Sequence, residues 1–334
     1  SGMQSISSAI EKINSNQGSL YLVGGMESMS NIPLFYNDEF KNLITKFSYS
    51  KSLIEKIELL TTFRLRFLKP TIGLISGLTD PISGKIMGIT AENLANEFKI
   101  SRAAQDEYAL NSHKKAQKAI EAGVFKDEIH PIMTKNVSMT NDDGIRFNQT
   151  IESLNKLNPI FIRDGGTVTA GNSSQVSDGA CSLIVCTESK AKELNLEPIG
   201  FISDYSYAGL DAHRMGLGPI YATKKLFDKT GITLKDIDLI EMNEAFAAQI
   251  IANLEAFKSE GFCQKTFNSS ALGEIDESIL NVNGGAIALG HPVGMSGARI
   301  VLTALKELKR RNKNKALASL CIGGGQGAAF LLEI

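Results

Sequence analysis

Residues 317–334 read LASLCIGGGQGAAFLLEI: an apolar run ending in a thiol, three consecutive glycines, then a second apolar run. Gly323 to Ala328 formally fits the G-x-G-x-x-A pattern of a dinucleotide site. That pattern needs a helix and a further strand behind it, and only six residues follow Ala328, reading as strand. The stretch is therefore strand, glycine turn, strand, with no room for a crossover. Glycine has no Cβ, so main-chain N–H groups at such a turn can face a ligand in conformations that other residues resist. Donors of that kind suit a developing oxyanion. A buried cysteine is most often a small hydrophobe, and Cys181 and Cys186 are read that way. The glycines beside Cys321 favour a proton-transfer role, because an unperturbed thiol titrates at roughly 8.5, within reach of a nearby imidazole or N–H dipole.

Working backward from this stretch, the next glycine cluster is GGAIALGHPVGMSG at 284–297, which holds His291. Of the four histidines, His113 lies in a polar helix, His130 precedes Pro131 and His213 sits in a loop, so surface positions are expected for these three. None is spaced as part of a metal-ligand set. The 334 residues, 43% of them apolar, suffice for two or three packed subdomains. With 35 Lys and Arg against 36 Asp and Glu there is no global field to hold nucleic acid. Four cysteines without a CxxC pair argue for a reducing compartment, by default the cytoplasm, or the mitochondrion in a eukaryote. No stretch approaches the roughly 20 apolar residues of a membrane-spanning helix.

The opening residues through SSAIEKI read as a helix, followed by the apolar run SLYLVGGMESMS, a strand expected to stop at Gly24-Gly25. A strand so soon after the start implies that earlier elements of its sheet precede it. From about residue 31 to 166 the pattern changes to mixed helices and loops, read as an inserted subdomain. Its helix SRAAQDEYALNSHKKAQKAIEAG opens on Ser101 as N-cap and closes at Gly123. The run LLTTFRLRFLKPTIGLI interleaves Arg64, Arg66 and Lys69 with Phe63, Phe67 and Leu68, fitting a partly buried helix, a membrane surface or a partner. After GACSLIVCTE, strand and helix alternate in the α/β manner. In NEAFAAQIIANLEAFKSEG, Phe246, Ile250, Leu254 and Phe257 share a helical face expected to pack on a sheet. The basic run at 306–315 is read as an exposed helix end.

Five motifs in order, GGMESMS (24–30), TVTAGNSSQVSDGA (167–180), NEAF (243–246), GGAIALGHPVGMSGAR (284–299) and CIGGGQGAA (321–329), resemble the thiolases over the whole chain. The resemblance implies an α/β, thiolase-like five-layer αβαβα fold. It implies an N-terminal thiolase domain in residues 1–32 plus 175–192, an inserted loop domain in 33–174 that binds coenzyme A, and a C-terminal domain in 193–334. Thiolases carry a nucleophilic cysteine in C-x-S-G-[ML]-[KQ]. Since the chain begins SGMQ, that cysteine is expected two residues before Ser1, with a truncated N-terminal half.

The same resemblance implies that Cys321 is the acid/base acting on the acetyl-CoA enolate. His291 would activate the nucleophile and, with a water held by Asn243, bind the thioester oxyanion; Gly323 N–H would serve a second oxyanion hole. Met87, Phe161, Ala170, Ser174, Met215 and Phe246 would line the pantetheine channel, and Arg146 would stand near the nucleotide end. The extra glycine in RDGGTVTAGN departs from the family pattern before Ala170. Coenzyme A and acyl-CoA are expected as substrates, with no covalently bound cofactor. The implied activity is thiolytic cleavage of 3-ketoacyl-CoA in fatty-acid β-oxidation. The insertion near residue 65, with EYALNSHKKAQKA, TNDDGIR and GPIYATKK, is similar to the β subunit of the trifunctional oxidation complex. The alternatives are acetyl-CoA acetyltransferase, or an inactive CoA-binding remnant. A homo-oligomer, a hydratase/dehydrogenase partner subunit and peripheral membrane contact through 61–75 complete the expectations.

Overall fold

The computed structural model describes residues 2–135 and 138–334. Its principal helices are α1 (Gly2–Asn14), α2 (Met87–Glu97), α3 (Arg102–Glu121), α4 (Gly218–Thr230), α5 (Ala247–Lys258) and α6 (Val293–Arg311). Its principal strands are β1 (Leu20–Ser28), β2 (Asp178–Cys186), β3 (Phe201–Gly209), β4 (Leu239–Met242), β5 (Lys315–Ile322) and β6 (Gln326–Glu333). Strands β3, β6, β5 and β4 form a sheet in that order, antiparallel except for the parallel pair β4 and β5. The β5–glycine–β6 stretch is an antiparallel hairpin that pairs Cys321 with Gly327. Gly324 and Gly325 take left-handed φ of 81° and 77°. A Cβ on Gly325 would lie 2.2 Å from the Leu210 carbonyl oxygen, so both conformation and space demand glycine there.

One face of this sheet packs on α1 and α6, and beyond them lies the antiparallel ribbon of β1 and β2. Met3, Ile6, Ile300, Val301, Leu305, Leu320 and Phe330 fill this layer. The stacked and edge-on rings of Tyr205 and Tyr207 flank Phe330 at 5.3 and 6.3 Å. The other face meets α4, and Leu317 and Leu331 join Leu217, Ile220, Leu226, Ile250 and Phe257 in a second core. The layers thus run helix, sheet, helix, ribbon.

Four local readings change. Strand β1 does not stop at Gly24-Gly25 but runs through them. A Cβ on Gly25 would stand 1.9 Å from the Gly294 carbonyl oxygen, so this glycine admits the start of α6 rather than making a turn. Helix α5 packs chiefly among helices, not on a sheet, and its alanines 247, 248, 252 and 256 are buried. The 61–75 run is not one helix: a helix ends at Thr61, a 3-10 turn spans Leu65–Leu68, and Leu65 is 81% exposed while Phe67 is buried. His113 is buried, not at the surface, because α3 packs against α5 and the short helices Ala286–Leu289 and Ile151–Asn155, while Arg146 N–H covers its Nδ1; His130 and His213 are exposed. The Ser101 cap holds as read, its side chain accepting from Ala104 N–H.

Candidate active site

Strands β4 and β5 run parallel, and their carboxyl ends place two reactive side chains next to each other, where ligands of parallel sheets are usually met. Asn243 follows β4 directly, and its N–H donates to Ser319 on β5, two residues before Cys321. The Asn243 side chain is buried; its Nδ2 lies 3.2 Å from His291 Nε2, while its Oδ1 has no protein partner. Ala245, Met215 and Cys321 form one buried cluster, with Met87 and Phe246 packed against it. The imidazole and the thiol, drawn from separate turns, thus both contact the Asn243–Ala245 segment, His291 at Asn243 and Cys321 at Ala245.

The hydrogen bonds settle the His291 tautomer. The Ser296 hydroxyl donates to the Pro292 carbonyl at 3.1 Å, so its oxygen is free to accept from Nδ1–H, 2.6 Å away. Nε2 then presents its lone pair to Asn243 Nδ2–H. Burial, with the nearby Arg299 cation, pushes the imidazole down to about 4, so it is neutral at ordinary pH. Burial pushes the Cys321 thiol up to about 12, against the pull of a backbone hydrogen bond. The site therefore holds a protonated thiol, able to give a proton, and a neutral imidazole, able to accept one.

The expected channel residues gather at the same place. Phe161 and Phe246 meet edge to face at 6.0 Å, and Gly88 lies against the Phe161 ring. Met87 reaches over Gly323, its methyl 2.5 Å from where a Cβ would stand. Ser174 N–H donates to the Ala245 carbonyl, and Ser173 bridges to Phe246. Ala170 is exposed on the loop just before. Buried Glu92 holds that loop by accepting from the N–H groups of Thr167 and Val168. Gly165 of the extra pair is left-handed at φ 78°, and a Cβ on Gly166 would lie 2.1 Å from the Ile162 carbonyl oxygen. Arg146 does not join the cluster: the residue is exposed, and its N–H donates to His113 Nδ1.

Three contributors were missed by sequence reading. Ser296 orients His291, Ser177 Oγ accepts from His291 N–H, and Gln175 donates to the carbonyls of Gly144, Ile287 and Ala288. Ser296 could have been found, since it lies five residues past the histidine at the first turn of a helix; the other two carry no local signal. Ser1 lies outside the described residues, as does the cysteine expected ahead of it. The N-terminal end of α1 packs at this site, where Gly2 abuts Ala298 and the Met295 carbonyl.

A mixed α/β scaffold that gathers a buried thiol, an imidazole and an amide among glycine turns is suited to acyl transfer. The chain belongs to the thiolase family: residues 1–189 match the thiolase N-terminal domain and 196–334 the thiolase C-terminal domain. It is 38% identical to the 3-ketoacyl-CoA thiolases of Yersinia enterocolitica and Yersinia pestis, over 99% of this chain and 76% of theirs. Among solved structures, human mitochondrial 3-ketoacyl-CoA thiolase in complex with CoA superposes with a TM-score of 0.83 at 38% identity, covering 100% of this chain and 75% of that one. The Bacillus anthracis acetyl-CoA acetyltransferase superposes with 0.83 at 39%, covering 100% and 76%. Both family domains are represented in the chain, which spans about three quarters of the length of these relatives.

Proposed function

We propose that this chain catalyses thiolytic cleavage of 3-ketoacyl-CoA to acetyl-CoA and a shortened acyl-CoA, the degradative direction of fatty-acid β-oxidation. Its similarity to 3-ketoacyl-CoA thiolases over almost the whole chain supports this reading. The observation that carries it is the Asn243–His291 pair beside Cys321. In the family, a cysteine thiolate adds to the 3-keto carbon, and the bond between that carbon and the α-carbon then breaks. The electron pair passes to the departing acetyl-CoA enolate. Cys321, held protonated, gives its proton to that carbon. His291 Nε2 takes the proton of the nucleophilic thiol, and the N–H so formed, with a water held by Asn243, binds the thioester oxygen. The thiol of free CoA then takes the acyl group from the enzyme, so coenzyme A is a substrate, not a resident group. The Gly323 N–H serves the second oxyanion hole, and Met87, Phe161, Ala170, Ser174, Met215 and Phe246 line the pantetheine arm as mostly apolar walls with few polar anchors. Arg146 serves the nucleotide end. Residues 33–174 act as the CoA-binding loop domain.

The test is CoA-dependent cleavage of short and long 3-ketoacyl-CoA, with Asn243→Ala alongside. Losing one oxyanion donor is expected to lower kcat by about 10²–10³. Wild-type activity with no dependence on Asn243 would overturn the assignment. A second reading, acetyl-CoA acetyltransferase, is supported by the likeness to the Bacillus anthracis enzyme. Preference for acetoacetyl-CoA over longer chains would favour it.

The protein is further proposed to work in the cytoplasm, or in the mitochondrion of a eukaryote, as a homo-oligomer. A hydratase/dehydrogenase subunit is the proposed partner. Residues 61–75 are proposed to touch a membrane surface, since Leu65, Leu68, Ile72 and Ile75 are exposed beside Lys69. Arg66 is tied to Glu39, and Arg64 to the carbonyls of Thr61 and Phe63, which weakens the cationic contribution. Cosedimentation with vesicles containing phosphatidylserine is expected, and its absence would remove this contact.

A further inference from the structure

Glu244, the residue after Asn243, is 1% exposed and has no cation within ion-pair distance among the described residues. A buried carboxylate without a counter-ion is costly unless hydrogen bonds satisfy it. Here four do. Tyr108 OH and Asn281 Nδ2 donate to Oε1 at 3.0 and 2.9 Å, and Ser112 Oγ and Ile287 N–H donate to Oε2 at 2.7 and 3.2 Å.

These donors come from three separate parts of the chain. Tyr108 and Ser112 lie on α3 of the inserted region, Asn281 precedes the glycine motif, and Ile287 lies four residues before His291. The carboxylate also occupies the space where a Cβ on Gly285 would stand, 2.3 Å from its carbon, so Gly285 is the residue that lets it approach. Asn281 extends the clamp: its side chain donates to the Met242 carbonyl and accepts from Met242 N–H, fixing the end of β4 just before Asn243.

We infer that Glu244 is a positioning residue that holds the Asn243 and His291 segments in register through these four hydrogen bonds, with α3 as the third fixed point. The carboxylate is bonded to the segment leading to His291 and is covalently next to Asn243, so its two oxygens set the separation on which the Asn243–His291 contact depends. This inference rests on the thiolase reading for its kinetic consequence but not for its structural one.

Replacing Glu244 by Gln keeps the shape and puts an NH₂ where one oxygen stands. If it replaces Oε2, it confronts Ser112, whose hydroxyl can turn to accept, and Ile287 N–H, which cannot. If it replaces Oε1, it confronts the Asn281 amide, itself held by Met242. Either way one fixed donor loses its acceptor.

The experiment compares the full chain with Glu244→Gln and Ser112→Ala, reading folding by circular dichroism, thiolysis by kcat and KM, and the His291 ring nitrogens by ¹⁵N NMR without substrate. In Glu244→Gln, kcat is expected to fall by about tenfold or more with KM for 3-ketoacyl-CoA little changed. The His291 nitrogen shifts should move toward a mixture of tautomers, and Ser112→Ala should show the same changes in smaller degree. Unchanged His291 shifts in both variants overturn the inference, whatever the activity. If Glu244→Gln fails to fold, Ser112→Ala decides alone by the same readout. Wild-type protein with no thiolysis activity would sink the functional reading while leaving the nitrogen shifts to judge the positioning role.

Discussion

The side chain that most constrains the chemistry is His291, whose two ring nitrogens have different partners, Ser296 at Nδ1 and Asn243 at Nε2. Removing the Ser296 hydroxyl frees Nδ1–H and lets the ring sample the other tautomer, in which Nε2–H faces the Asn243 amide donor. Ser296→Ala is expected to lower kcat by about tenfold, the worth of roughly 1 to 1.5 kcal/mol for one hydrogen bond, without changing the fold. A ¹⁵N spectrum that still shows a single His291 tautomer would sink that expectation. The motif around His291 was legible because glycines crowd the residue. The role of Ser296 was not, because it depends on how the first turn of α6 folds back over the ring.

At the scale of elements, the β5–β6 hairpin carries both the thiol and the largest buried aromatic of its layer. Phe330 is fully buried between two tyrosines, and Phe330→Ala is expected to cost about 3–5 kcal/mol, measured by urea denaturation. A loss below about 1 kcal/mol would mean that the tyrosines collapse into the space. The β1–β2 ribbon behaves differently. Its inner face packs on α6, but Leu22, Met26 and Ile184 on its outer face are 77%, 72% and 59% exposed. Among the described residues neither strand pairs with any other. Open edges with an apolar face promote association. Light scattering is expected to show oligomers that Leu22→Lys with Ile184→Lys disperses; a monodisperse wild-type monomer would contradict this. The strand pattern of β1 was readable, but its passage through Gly24-Gly25 was not, since the reason lies in Gly294, remote in sequence.

Across the whole molecule, buried ionisable groups tie folding to pH. His113 is buried between α3 and the Arg146 segment, and burial, with the Arg146 cation, lowers it to about 4 from an ordinary 6.5. Between these values the unfolded chain binds a proton that the folded one refuses, so the contribution of His113 to stability is full above 6.5 and falls as the pH drops toward 4. Against His113→Asn, the wild type is expected to lose about 2 kcal/mol between pH 7 and pH 5. A difference independent of pH would refute the assignment. Glu241 works in the opposite sense. Burial raises its carboxyl to about 8, so its contribution is lost as the pH rises from 4.5 through 8. The comparison of variant with wild type separates the histidine from it.

The sequence alone determined the family, the strand–glycine–strand end of the chain and the Ser101 cap, because each rests on local spacing or on an ordered set of motifs; the same motifs singled out Asn243, His291 and Cys321, which the fold draws to one segment. It misplaced His113 at the surface, since a polar helix gives no sign that its face will be covered by a distant loop. Only the tertiary structure decided the protonation of the site. The burial that holds the Cys321 thiol protonated is a property of what packs over it, Met87, Met215 and Phe246 among others, and no local pattern encodes how closely remote segments approach.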